Sequence, residues 1–172
     1  MRTVLSIFLF FSFVLTHAQE ASEEKELEPR YRVAIATINS HVPEEESNQR
    51  AIIPAWGLEA ERRLNEKWAI MLNFEVELVT YFVDYKDELS LKREYPLVAG
   101  LLVVRRLTEE IILSAGYGRE FETNESFDLL IFNLSYEIRL PNEWDISPGV
   151  TYNDRLDAFD TFSFNIAFGK SF

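Results

Sequence analysis

From Trp68 to Leu78 the chain alternates with period two. Trp68, Ile70, Leu72, Phe74, Val76 and Leu78 form one phase; Ala69, Met71, Asn73, Glu75 and Glu77 form the other. A helix would set Glu75 beside Met71 and Leu72, whereas a strand sorts the two sets onto opposite faces. The same rhythm recurs. Leu130, Phe132, Leu134, Tyr136 and Ile138 oppose Ile131, Asn133, Ser135, Glu137 and Arg139. Trp144, Ile146, Pro148, Val150 and Tyr152 oppose Asp145, Ser147, Gly149, Thr151 and Asn153, and Ile111, Leu113, Ala115 and Tyr117 oppose Ile112, Ser114, Gly116 and Gly118. With less pure segments near 31–40, 51–62 and 93–106 and a final one over 161–172, eight strands are expected.

The links carry a second pattern. Arg63 to Lys67, Leu107 to Glu110 and Leu140 to Glu143 are short; His41 to Arg50, Val83 to Lys92, Phe121 to Phe127 and Asp154 to Asp160 are longer. Short and long links alternate, so an up-and-down meander collects the short turns and both termini at one end and the long loops at the other. Pro54, Pro96 and Pro148 fall within proposed strands. In a closed sheet every strand has two neighbours, so bulges or strand ends are expected at those prolines.

Ahead of the strands lies a different kind of segment. Arg2 precedes an apolar run from Val4 to Leu15, and Thr16-His17-Ala18 supplies a small-residue cleavage pattern. Residues 1–18 read as a secretory signal peptide, and the acidic stretch 19–29 as a flexible tail before a domain over 30–172. The chain has a net charge of −12, one unit more negative without Arg2, which argues against nucleic acid as a partner. With no cysteine, thiolate catalysis and cysteine-ligated metals are excluded.

Alternation alone leaves open which face is inside: a lipocalin-like soluble barrel turns its apolar face inward, a membrane barrel outward. The non-apolar phase is rich in Gly, Ala, Ser and Asn, and Lys170 is the one lysine within a strand. That suits the narrow interior of an eight-stranded barrel better than a solvated exterior. Trp68 and Trp144 open strands straight after short turns, and Tyr81, Phe82 and Tyr152 lie near the long-loop end, where membrane-interface aromatics belong. The apolar phases also have the length of transmembrane strands, about 9–11 residues.

The last strand reads Phe162, Phe164, Ile166, Phe168 and ends on Phe172. An aromatic C-terminus after an alternating strand resembles the assembly signal of bacterial outer-membrane barrels, and the region after Arg30 resembles the small eight-stranded barrels of the OmpA/OmpX type. The resemblance implies an all-β, eight-stranded antiparallel up-and-down transmembrane barrel in the Gram-negative outer membrane. It implies lipid and the barrel-assembly machinery as partners, with Phe168 and Phe172 in the signal. Short turns and termini would face the periplasm, and long loops the exterior.

In that orientation the inward charges sort by depth. Arg32, Glu59, Glu61, Arg106, Glu137, Arg139 and Asp145 fall in the periplasmic half, as an ion-pair network that plugs the lumen or as the wall of a polar conduit. Glu75, Glu77 and Glu120 lie in the outer half with no inward arginine on the strands at that level. They pair with loop residues such as Arg93 or Arg155, stay partly protonated, or hold a cation. His41, near Glu44, Glu45 and Glu46, is a weak metal candidate and the sole base for a hydrolase with Ser40 or Ser47. The expectation is a non-enzymatic barrel without a cofactor, its loops serving structural, adhesive or ligand-contact roles with the ligand unknown. A lipid-modifying barrel enzyme and a soluble periplasmic binding barrel are the alternatives.

Overall fold

The computed structural model describes residues 31–43, 50–85, 89–123, 125–156 and 158–172. The proposed leader and tail lie outside them. Eleven strands follow in chain order: β1 (Tyr31–Pro43), β2 (Arg50–Arg63), β3 (Trp68–Glu77), β4 (Thr80–Tyr85), β5 (Leu89–Glu94), β6 (Leu97–Arg106), β7 (Ile111–Phe121), β8 (Phe127–Tyr136), β9 (Ile138–Arg139), β10 (Trp144–Arg155) and β11 (Asp160–Ser171). The main sheet runs β1-β2-β3-β6-β7-β8-β10-β11, with β9 prolonging β8, and every pair is antiparallel. Pairing of β11 with β1, from Arg32↔Ser171 to His41↔Phe162, closes the ring into an eight-stave barrel. Following the register once round returns to β1 about ten residues along, a stagger consistent with strands tilted roughly 40°.

The polarity is inverted relative to a soluble protein. Ile35, Leu101 and Ile166 point outward at 57%, 56% and 55% exposure, while Glu77, Glu120 and Arg155 point inward at 1%, 0% and 2%. Water cannot be the solvent for such an exterior. A strand segment of about ten residues at this tilt rises about 25 Å, the height of a lipid-facing band.

The four-residue turns 64–67, 107–110 and 140–143 lie at the end that carries Tyr31 and Phe172. Each is shaped locally. Asn65 Oδ1 accepts from the amides of Lys67 and Trp68, both at 2.9 Å, and Thr108 Oγ1 accepts from those of Glu110 and Ile111. Asn142 and Glu143 take φ of 60° and 61° in the third turn.

The far end departs from expectation twice. The proposed loop 83–92 is instead largely strand: β4 and β5 form a separate hairpin that continues β3 and β6 past the barrel wall. The break falls at Tyr95 (φ 47°) and Pro96. In addition, the link 156–159 is no longer than the turns at the other end, because Asp154 and Asp160 stay paired across the β10–β11 ladder. Polar residues that look like loop are strand carried beyond the apolar band.

Pro54 and Pro148 sit without an inserted residue, but at Pro96 the register slips by one: between Val76↔Leu97 and Thr80↔Glu94, residues 77–79 face only 95 and 96. Pro54 lies just past the β2–β3 ladder, and its carbonyl accepts from the Leu78 amide at 2.9 Å. Pro96 precedes β6. Pro148 sits at the interruption between β8 and β9, where pairing resumes in unchanged register from Gly149↔Ser135 to Ile146↔Ile138. The ladder skips the missing donor there without a bulge.

Candidate functional site

The lumen is filled in layers. At the terminus end, β1 brings Arg32 between β2 and β10. Its Nε and Nη2 grip both oxygens of Asp145 at 2.8 and 2.7 Å, and Nη1 donates to Glu59 at 2.8 Å. Ser147 Oγ donates to the same Asp145 carboxylate at 3.0 Å. Beside this group, Arg106 on β6 grips Glu137 through two bonds of 3.1 and 2.8 Å, and Glu61 lies 3.9 Å from Arg106. Arg63, which sequence reasoning assigned to the turn, turns inward to Glu61 at 3.7 Å. Arg139 lies at the mouth, not in the lumen: its side chain is 57% exposed and links Glu137 to Glu109. It sits at the end of β9, past the point where the barrel wall encloses it.

The Arg32–Asp145 pair depends on a missing side chain. A Cβ on Gly169, which lies opposite Asp145 and Ala34, would stand 2.5 Å from Asp145 Oδ2 and 2.6 Å from Arg32 Nε. Gly169→Ala should therefore displace the pair and destabilise the barrel by about 1–3 kcal/mol, read as an earlier midpoint in urea unfolding.

Above this layer Asn133 and Asn165 both donate to Thr151 Oγ1, at 2.9 and 2.8 Å. They meet an apolar wall of Met71, Leu102, Val104, Leu129 and Ile131. A cavity of about 20 Å³ remains between Arg32, Ser114, Asn133 and Asn165, room for one water.

The outer acids are not left alone. Glu120 of β7 is gripped by two arginines toward the far end of the barrel. Arg155, at the end of β10, donates from Nε at 2.6 Å, and Arg93, on the β4–β5 hairpin, donates from Nη2. Arg155 also approaches Glu77 at 3.7 Å, and Arg93 reaches Glu122 and the Glu125 carbonyl. Glu75 accepts from Ser40 Oγ at 3.4 Å. Of the three readings of this cluster, pairing with loop arginines is the one the geometry adopts for Glu77 and Glu120. Val42, Ile53, Tyr81, Val83, Phe127 and Phe159 then close over the top as an apolar cap. Arg93 and Arg155 lie 4.9 and 4.6 Å above the Phe127 and Phe159 rings.

Tyr81 is thus a correction: it is 7% exposed and faces inward, not toward lipid. It shares parity with Glu75 and Glu77, and alternation carries through the break at Leu78, so the outward aromatic there is Phe82. Trp68, Trp144 and Tyr152 face outward. Trp144 stacks on Phe168 at 4.8 Å. Trp56 and Tyr117, which sequence reasoning did not single out, face outward at 50% and 51% toward the far end. Phe172 is stitched into the ring through its amide to the Tyr31 carbonyl at 2.8 Å.

Ser40 and His41 point to opposite sides of the wall. Ser40 is 1% exposed in the lumen, while the His41 ring lies outside against Phe164 at 5.7 Å and Phe162 at 6.2 Å. Consecutive strand residues cannot share a face, so this pair forms no catalytic dyad. Glu44, Glu45, Glu46 and Ser47 lie outside the described residues.

No protein-family model matches the chain, and no curated protein matches it in sequence. Solved structures do. The chain is similar to Neisserial surface protein A, with a TM-score of 0.61 at 10% identity over 86% of this chain and all of that one. It is also similar to the attachment invasion locus protein Ail of Yersinia pestis, with a TM-score of 0.54 at 14% identity over 85% of this chain and all of Ail. A second Ail structure, in complex with the heparin analogue sucrose octasulfate, gives 0.56 at 16% identity over 85% of this chain and all of that one. An inverted exterior, a closed eight-stave ring and these likenesses together give the chain the fold of the small eight-stranded outer-membrane β-barrels.

Proposed function

We propose that this chain is a non-enzymatic integral outer-membrane barrel with a sealed lumen, its termini in the periplasm and its working surface on the far-end loops. The observation that carries this reading is the stack inside the ring: ion pairs, an amide–hydroxyl layer, a second set of ion pairs and an apolar cap. The guanidinium groups held there neutralise carboxylates beside them, and Glu75 accepts from Ser40. Eight strands leave an interior that side chains can fill.

The far-end segments carry Glu44, Glu45, Glu46, Asp84, Asp87, Glu88, Glu125 and Asp157 against few cations. A polysulfated sugar such as the sucrose octasulfate in the Ail complex is a poor match for such acidic segments; a cationic or neutral surface suits them better. Planar-bilayer recording tests the sealed lumen. Purified barrel at high protein-to-lipid ratio should add no stepwise conductance, whereas reproducible steps from the intact protein would overturn the proposal.

A further inference from the structure

Charges on the outer wall fall into two unlike groups. Toward the far end both signs occur and pairs form: Arg119 pairs with Asp128 at 3.2 Å and Arg50 with Asp160 at 3.4 Å. At the terminus end the outward charges in the strands are Arg62, Arg105 and Lys170, all cations. Lys170 donates to the Asn142 carbonyl and lies over Trp144 and Phe172. Arg62 and Arg105 have no carboxylate partner among the described residues. Glu59 and Glu61, on the same strand as Arg62, are engaged inside the lumen.

The two arginines flank one strand. Arg62 on β2 lies opposite Ile70, and Arg105 on β6 lies opposite Trp68, both partners being on β3. Strands two places apart stand about 10 Å from each other, a gap that two guanidinium arms close around one phosphate. Arg105 already lies 4.4 Å over the Trp68 ring, which fixes its plane and sets an indole at the polar edge of the band. Further into the band the same strands present Ile70, Leu72 and Val103, outward and exposed, as a bed for acyl chains.

We propose that Arg62 and Arg105, with Trp68 between them, bind the phosphate of an anionic phospholipid headgroup in the leaflet at the terminus end. The proposal rests on the membrane reading given above. Two guanidinium groups against one phosphate leave a surplus positive charge. A zwitterionic headgroup, which brings its own ammonium, fits that surplus less well than an anionic one.

The test uses the Trp56→Phe/Trp144→Phe protein, which keeps Trp68 as its one tryptophan, folded into low-salt vesicles. Brominated phosphatidylglycerol and brominated phosphatidylcholine are compared as quenchers at equal mole fraction in an otherwise zwitterionic bilayer. The anionic quencher should be enriched at Trp68 by about fivefold. Arg62→Gln/Arg105→Gln should abolish the preference with the gel mobility of the folded barrel retained; Lys170→Gln should keep it. Equal quenching by the two lipids, or a preference that survives the double variant, overturns the site. Inorganic phosphate that removes the preference where sodium chloride of equal ionic strength does not would assign the pair to free phosphate and overturn the lipid. If neither lipid quenches Trp68, membrane embedding itself fails, an outcome distinct from loss of the site alone.

Discussion

Glu120→Ala is expected to destabilise the barrel by about 3–5 kcal/mol, because it leaves two enclosed guanidinium groups facing each other with their shared counter-charge gone. Arg93 and Arg155 are 0% and 2% exposed, so water cannot take over from the lost carboxylate. The remaining carboxylates offset only part of the loss: Glu77 at 3.7 Å from Arg155 and Glu122 at 3.4 Å from Arg93 are longer contacts than the 2.6 Å bond that Arg155 makes to Glu120. The effect is also topological. Arg93 is carried by the β4–β5 hairpin, which pairs within itself and not with the main sheet. Its grip on Glu120 is a principal polar tie between the hairpin and the barrel wall, so Glu120→Ala should also speed proteolysis within β4–β5. Arg119→Ala, one residue earlier on the same strand, supplies the contrast. Its pair with Asp128 has side chains 52% and 41% exposed and should contribute about 0.5 kcal/mol. Urea unfolding in detergent micelles, followed by tryptophan fluorescence, measures both. Equal effects from the two variants would contradict the buried-pair account.

Parity carries most of the fold and a good part of the lumen. Because each strand residue faces opposite to its neighbour, Arg32, Glu61, Arg106, Glu137 and Asp145 could be placed inside from alternation alone. Parity also assigns Tyr81 to the interior, as it does Glu77. Of the two adjacent aromatics expected in the girdle there, Phe82 keeps that place and Tyr81 does not, since neighbours on a strand cannot both face lipid. Arg93 and Arg155 are legible as candidate partners of the outer acids, but only as one of three readings and as loop residues. Arg93 and Arg155 stand where the sequence turns polar, and polar sequence reads as loop. Both lie in strands that run on past the lipid band, and their heads fold back over the lumen. No local pattern encodes that return; it follows from the desolvation of Glu120, which must find a positive partner from some element above it. Trp56 and Tyr117 were hidden for a simpler reason. They lie mid-strand in sequence, and only the stagger of the ring lifts them toward the far interface.

Leu72→Arg should destabilise the folded protein in a lipid bilayer by about 2–4 kcal/mol, the penalty for a cation at the midplane of a lipid-facing barrel wall. Leu72 is 46% exposed, lies opposite Leu101 across the β3–β6 ladder and Ala60 across β2–β3, and has no outward acid beside it. In a water-soluble barrel the same change at a half-exposed position would be close to neutral, within about 0.5 kcal/mol, so the measurement separates the two solvents directly. Depth supplies an internal control. Arg62 already occupies the outward face of the neighbouring strand near the terminus end, where the same charge sits at roughly 0–1 kcal/mol. Unfolding in bilayer vesicles should therefore show a large loss for Leu72→Arg and a small change for Arg62→Leu. Because the lumen at this level is enclosed, the new guanidinium cannot turn inward past the wall; it must reach along the exterior to an interface more than a side-chain length away. A Leu72→Arg barrel as stable as the parent in lipid would mean that the exposed apolar wall meets something other than hydrocarbon.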